Sequence, residues 1–196
     1  MAWDEDRLSL ANLQRFEQAL VARGCLKSIC AFVDGTVLPV ARPGKDHKVW
    51  DQEELYNGSK HLHCITFQGI VTPDGLISSL CGPYEGKAGD FLMLRESKTV
   101  ERLEALMKHL PESQHLYIFG DKAYHSGAFG VMGAYQTPAK RSLTARDEGF
   151  NFQMSKHRIA VEHAFGKGKG QWGMLNRKNA LTTGSQPVAA YLAVAA

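Results

Sequence analysis

Residues 28–40 read SICAFVDGTVLPV, and residues 115–124 read HLYIFGDKAY. Each stretch holds a short apolar run, at 29–33 and 116–119, that closes on an acid beside a glycine: Asp34-Gly35 in the first, Gly120-Asp121 in the second. Short apolar runs bounded by turn residues predict buried strands, here each ended by an aspartate. If the two strands are neighbours in one sheet, both carboxylates project from the same edge.

The surrounding chain supplies what such a sheet needs. Leu8, Leu13, Phe16 and Leu20 recur at helical spacing over residues 8–22, with Gly24 placed to end the helix. Two β-rich runs flank Pro73-Asp74-Gly75 and predict a hairpin over residues 63–82. Val100, Leu103, Leu106, Met107 and Leu110 predict a crossover helix stopped by Pro111, and residues 130–138 an edge strand stopped by Pro138. Residues 42–60 and 83–97 read as loops, and a polar connector with Arg141, Arg146, Asp147 and Glu148 leads to a helix in SKHRIAVEHAFGKGKGQW, residues 155–172. The glycines of that stretch read as a loosened run following the helix. The tail, residues 187–196, is helix-like and breaks off without a stop signal, as if the chain were cut there. The order predicts a single α/β domain over residues 1–196, a mixed sheet with helices packed on it.

Composition narrows the function classes. A chain of 196 residues with 44% hydrophobic and 22% charged residues suits one soluble globular domain and argues against disorder. The start, MAWDEDRLSL, lacks the basic and apolar regions of a signal peptide, and no apolar run approaches a membrane span, so a soluble protein inside the cell is expected. Cys25, Cys30, Cys64 and Cys81 have no zinc-ribbon spacing and read as reduced core residues. The net charge of +3 is small, but residues 155–178 hold Lys156, Arg158, Lys167, Lys169, Arg177 and Lys178 against one acid, Glu162. The cationic footprint is local.

Adjacent carboxylates repel and stay ionised together only with a cation such as Mg²⁺ between them. Asp34 and Asp121 therefore point to a divalent-metal site, with Glu162 as a third oxygen ligand from the shoulder of its helix, beside Arg158 and Lys169 and next to a core stripe of Val161, Ala164, Phe165 and Gly168. Three carboxylates around two ions form a clamp for in-line displacement at phosphorus, and Arg158 and Lys169 would hold the phosphate backbone. Each acid has a plainer reading: Asp-Gly is a common turn pair, and Arg158 with Glu162 has the spacing of an ordinary helix ion pair. His61 and His63 read as alternating strand residues rather than a metal pair. FVDGTV resembles the nucleophile motif of haloacid dehalogenase-like phosphatases, but that chemistry needs an aspartate where Phe32 stands.

Taken together, FVDGTVLPVARP (32–43), YNGSKHLHCITFQGIVTPDGLISSLCGPYEG (56–86), GDFLML (89–94), GDKAY (120–124) and the 155–172 stretch resemble the DDE superfamily endonucleases, specifically the catalytic domains of Harbinger-like transposases. The resemblance implies an RNase H-like fold and Mg²⁺ or Mn²⁺ dependence. It implies cleavage of double-stranded DNA at transposon ends, leaving a 3′ hydroxyl that attacks target DNA. It assigns the catalytic triad to Asp34, Asp121 and Glu162, and matches Asp90 to the acid of a His-Asp pair whose histidine is replaced by Gly89. Asp90 joins the expected metal ligands, and Lys156 and Lys167 join Arg158 and Lys169 as expected DNA contacts. The resemblance further implies a nuclear location, a separate DNA-binding accessory protein, and a chain truncated at both ends relative to full transposases. The alternative it leaves open is a domesticated domain that binds metal, DNA or a partner without cutting.

Overall fold

A computed structural model describes residues 3–44, 51–124, 127–137, 142–172, 175, 181–183 and 187–195. Helix α1 (Leu10–Ala22) buries Leu13, Phe16 and Leu20, the spacing that predicted it. Strand β1 (Ile29–Pro39) follows and departs from expectation: it runs straight through Asp34-Gly35. The reason is a second partner. β3 (Leu62–Val71) pairs antiparallel with β1 from Phe32↔Val71 to Pro39↔Cys64, and those ladder bonds override the local turn preference of Asp-Gly. Asp34 therefore lies within a strand, not at the end of one.

The stretch expected to be a loop before β3 contains a short helix, α2 (Gln52–Leu55), closed by a reciprocal capping box between Asp51 and Glu54, and a two-residue strand, β2 (Tyr56–Asn57). β3 turns at Pro73-Asp74-Gly75, with Gly75 at φ +83, into β4 (Ile77–Glu85), which is the hairpin expected from the sequence. The following segment is less of a loop than expected, because Asp90–Glu96 forms helix α3, burying Met93 and Leu94. Helix α4 (Thr99–Met107) and strand β5 (Tyr117–Gly120) come next, and β6 (Val131–Gly133) is the expected edge strand. Pro138 and Arg141 lie outside the described residues.

Helix α5 (Ala145–Gln171) is longer than expected at both ends. Arg146, Asp147 and Glu148 are its first turn and not a connector: the Thr144 hydroxyl accepts from the Asp147 N–H, and the two acids sit where the helix dipole favours negative charge. At the other end the helix continues through Gly166, Gly168 and Gly170. Helix α6 (Val188–Ala195) forms the helical tail.

The strands build one curled, mixed sheet in the order β2-β3-β1-β5-β6, with β4 also on β3; β1 and β5 run parallel. This is an RNase H-like α/β fold. Strand alternation sends side chains to two cores. Phe32, Leu38 and Phe67 pack with Val161 and Phe165 of α5 and Leu192 of α6, whereas Ala31, Val33 and Ile118 pack with Leu13 of α1 and Leu103 and Met107 of α4. Ile29 and Phe32 share a core although three residues apart, because a register shift between Ile29 and Ala31 breaks the alternation. Cys25, Cys30 and Cys64 are buried and all four cysteines are free. No helix among the described residues is long and apolar enough to cross a membrane.

Candidate active site

The last parallel pair between β1 and β5 is Phe32↔Phe119. Continuing each chain by two residues reaches Asp34 on one and Asp121 on the other, so the parallel register ranks the two acids beside each other. Asp121 leaves β5 into a single 3-10 turn, Lys122–Tyr124; its carboxylate accepts from the Ala123 N–H at 2.7 Å and its carbonyl from the Tyr124 N–H at 3.1 Å. Asp34 accepts from the Gly35 N–H at 3.0 Å through Oδ1, and from Arg158 Nη1 at 3.2 Å through Oδ2.

Asp90, the first residue of α3, reaches the same place across Gly35. A Cβ on Gly35 would stand 2.6 Å from Asp90 Oδ1, so the missing side chain makes the space that the carboxylate fills. Tyr124 holds Asp90 there: its hydroxyl donates to Asp90 Oδ1 at 3.3 Å and accepts from Gln68 Nε2 at 3.3 Å. The Tyr124 ring is 1% exposed and lies against Gly120, where any Cβ would collide with it.

Burial dominates the electrostatics. It pushes the Asp34 carboxyl from 3.8 up to about 6; Arg158 and the Gly35 N–H oppose the rise, and Asp121 and Asp90 add to it. The Asp90 carboxyl is raised too, by burial and then by Asp121, against the hydrogen bond from Tyr124. Burial also drives the Tyr124 hydroxyl well above its ordinary range, so it remains a proton donor. Asp34, Asp90 and Asp121 line one cavity of about 440 Å³, with Gly35, Lys60 and Lys87 among its other walls.

The remaining residues singled out from the sequence stand apart from that cavity. Glu162 is 52% exposed and accepts from Arg158 Nη2 at 2.8 Å, so one guanidinium bridges Asp34 and Glu162. The plainer reading of Arg158 and Glu162 as a helix ion pair is met, with Asp34 as a second partner. Lys169 points to β1, donating to Thr36 Oγ1 at 2.6 Å and the Val37 carbonyl at 2.8 Å, and burial lowers its pKa. Lys156 and Lys167 are exposed on α5, Lys156 lying 4.2 Å over the Phe152 ring. Val161, Ala164 and Phe165 are buried as the core stripe requires, with Gly168 only half-buried. His63 packs against the Tyr56 ring, as a strand residue does. Three contributors escaped the sequence reading. Tyr124 stood in plain view three residues after Asp121; Gln68 and Lys60 carried no local signal.

Among the described residues, no group of three or more His, Cys, Asp or Glu side chains is arranged to hold a metal ion. The donor chemistry nevertheless fits a hard divalent cation: the donors are carboxylate oxygens only, Asp34 and Asp90 are raised by burial, and the Asp121 charge raises both further, a repulsion that a cation removes.

Comparison with known families gives one result that covers most of the chain. Residues 33–196 match the model of the family described as DDE superfamily endonuclease, and the protein belongs to that family. Its members generally act on DNA and use divalent metal ions. No curated protein and no solved structure matches the chain.

Proposed function

We propose that this protein is a transposase-derived endonuclease of the Harbinger type that cuts phosphodiester bonds of double-stranded DNA in the nucleus with Mg²⁺ or Mn²⁺. The observation that carries the reading is the register of β1 and β5, which ranks Asp34 beside Asp121 with Asp90 across Gly35. The chemistry that a divalent ion would supply if held by these carboxylates is activation of the attacking oxygen and neutralisation of charge developing at phosphorus. Asp34 and Asp121, set by the β1–β5 register, would hold it together with Asp90, whose carboxylate Tyr124 positions. Glu162, bonded to Arg158 on α5, would be the third acid of the triad. Transposon ends and target DNA are the substrates this reading names, with an accessory DNA-binding protein as partner.

Nicking of supercoiled plasmid with Mn²⁺ tests the proposal. Wild type should relax the plasmid, Asp34→Asn should not, and Glu162→Gln should lose most activity. A second reading, binding without cutting, is favoured by the placement of Glu162 outside the cavity lining. It holds if wild type binds Mn²⁺ through Asp34 yet never nicks above the level of Asp34→Asn.

A further inference from the structure

The carboxylate cavity presents a problem of charge. Asp34, Asp90 and Asp121 all face it, yet its proposed substrate is a polyanion, which needs positive charge on the same walls. None of the basic residues of α5 lines the cavity: Arg158 is bonded to Asp34 and Glu162, Lys169 to Thr36 and the Val37 carbonyl, and Lys156 and Lys167 are exposed outside its walls. Of the two lysines lining the cavity, Lys87 lies 3.2 Å from Glu85. Lys60 is exposed and makes no ion pair among the described residues.

The segment that carries Lys60 is fixed in place. Asn57 Oδ1 accepts from the Lys60 N–H at 2.9 Å and from Ser59 Oγ at 2.8 Å, while Asn57 Nδ2 donates to the Gly86 carbonyl at 2.6 Å. This ties the β2–β3 connection to the segment that leads to Gly89 and Asp90. His61, the next residue, is held at φ +54, a conformation that non-glycine residues rarely adopt. Asn57, Gly58 and Ser59 line the same wall, offering polar groups beside the ammonium.

Building on the endonuclease reading above, we propose that Lys60 is the phosphate-binding side chain of this cavity, gripping a backbone phosphate of the DNA strand opposite the three carboxylates. An ammonium on a flexible stem suits a phosphate oxygen as a point charge. The contact is blind to base sequence and positions the strand without specifying it.

The test is fluorescence anisotropy of the full chain on a short labelled duplex, in Ca²⁺, across a salt series. Lys60→Gln should weaken binding about five- to tenfold and reduce the slope of log affinity against log salt by about one, equally for unrelated sequences. Lys60→Arg should restore most of the affinity, and Lys108→Gln, on the exposed end of the α4 region, should leave affinity and slope unchanged. Wild-type affinity and slope in Lys60→Gln would overturn the proposal, as would an equal loss in Lys108→Gln or absence of DNA binding by the wild type. The endonuclease reading fails separately, in the plasmid assay. A protein that never nicks but whose Lys60→Gln form loses the salt-dependent contact keeps the phosphate site and loses the chemistry.

Discussion

A carboxyl buried beside other carboxyls keeps its proton longer than it would in water, and Asp34 illustrates the consequence. In the unfolded chain it ionises near 3.8, and in the fold near 6. Between those values the folded state binds more protons than the unfolded state, so raising the pH through this window lowers stability, by at most on the order of 3 kcal/mol. Asp90 shifts in the same direction and adds to the slope. Urea unfolding of the metal-free protein at pH 4 and pH 7 should therefore show a loss with rising pH that is visibly smaller in Asp34→Asn. Gly35 carries a second prediction at this scale. Alanine there drives a methyl group into Asp90 Oδ1, so Gly35→Ala should weaken Mn²⁺ binding by about tenfold or more and cost about 1–3 kcal/mol of stability. Calorimetric titration and urea unfolding read the two effects separately. The pairing of Asp34 with Asp121 was legible because both motifs close a short apolar run on an acid beside a glycine, Asp34 directly after its run and Asp121 one residue later. Tyr124 and Lys60 were not, since a tyrosine in a turn and a lysine in a polar segment look like any others until the fold brings them to the acids.

Among the elements, α5 is the one whose sequence and conformation agree least. Gly166 and Gly170 are exposed helical residues, and a Cβ at either would meet nothing within 4 Å. Glycine in such positions costs about 0.5–1 kcal/mol relative to alanine through backbone entropy. Gly166→Ala and Gly170→Ala should each stabilise the protein by about that amount, measured by urea unfolding, whereas Thr144→Ala should cost about 1 kcal/mol by removing the cap. Those glycines made the sequence look as though the helix ended before them. What keeps the helix on the sheet is contact, with Phe165 packed so closely on Gly69 that a Cβ there would stand 2.5 Å from its ring. Tertiary packing of this kind is invisible to local propensity, as is the β3 ladder that carries β1 past Asp34. The Pro73-Asp74-Gly75 hairpin and α1 were legible because their turn chemistry and apolar period agree with the packing.

For the molecule as a whole, the proposed metal binding would be linked to folding. The folded chain brings Asp34, Asp90 and Asp121 to one cavity, and the unfolded chain does not, so an ion held there stabilises the fold in proportion to its binding. Mn²⁺ at about a hundred times its dissociation constant should add about 2.7 kcal/mol. A thermal melt should show this rise in wild type and not in Asp34→Asn. Equal shifts in both proteins would place the bound ion somewhere other than the carboxylate cavity.

The seat of Asp34 inside β1 also sets the order in which the site comes apart. β1 is paired on both sides, to β3 and β5, while α5 rests on the sheet through a few buried side chains and ends in glycines. In deuterium exchange, the amides of β1 up to Phe32 should exchange last and those at the C-terminal end of α5 among the first. Asp34 thus adjoins the part of the molecule expected to open last. Glu162 and Arg158 ride on α5, so in the same experiment their segment should open before β1, parting Glu162 from Asp34 while β1 and β5 remain paired.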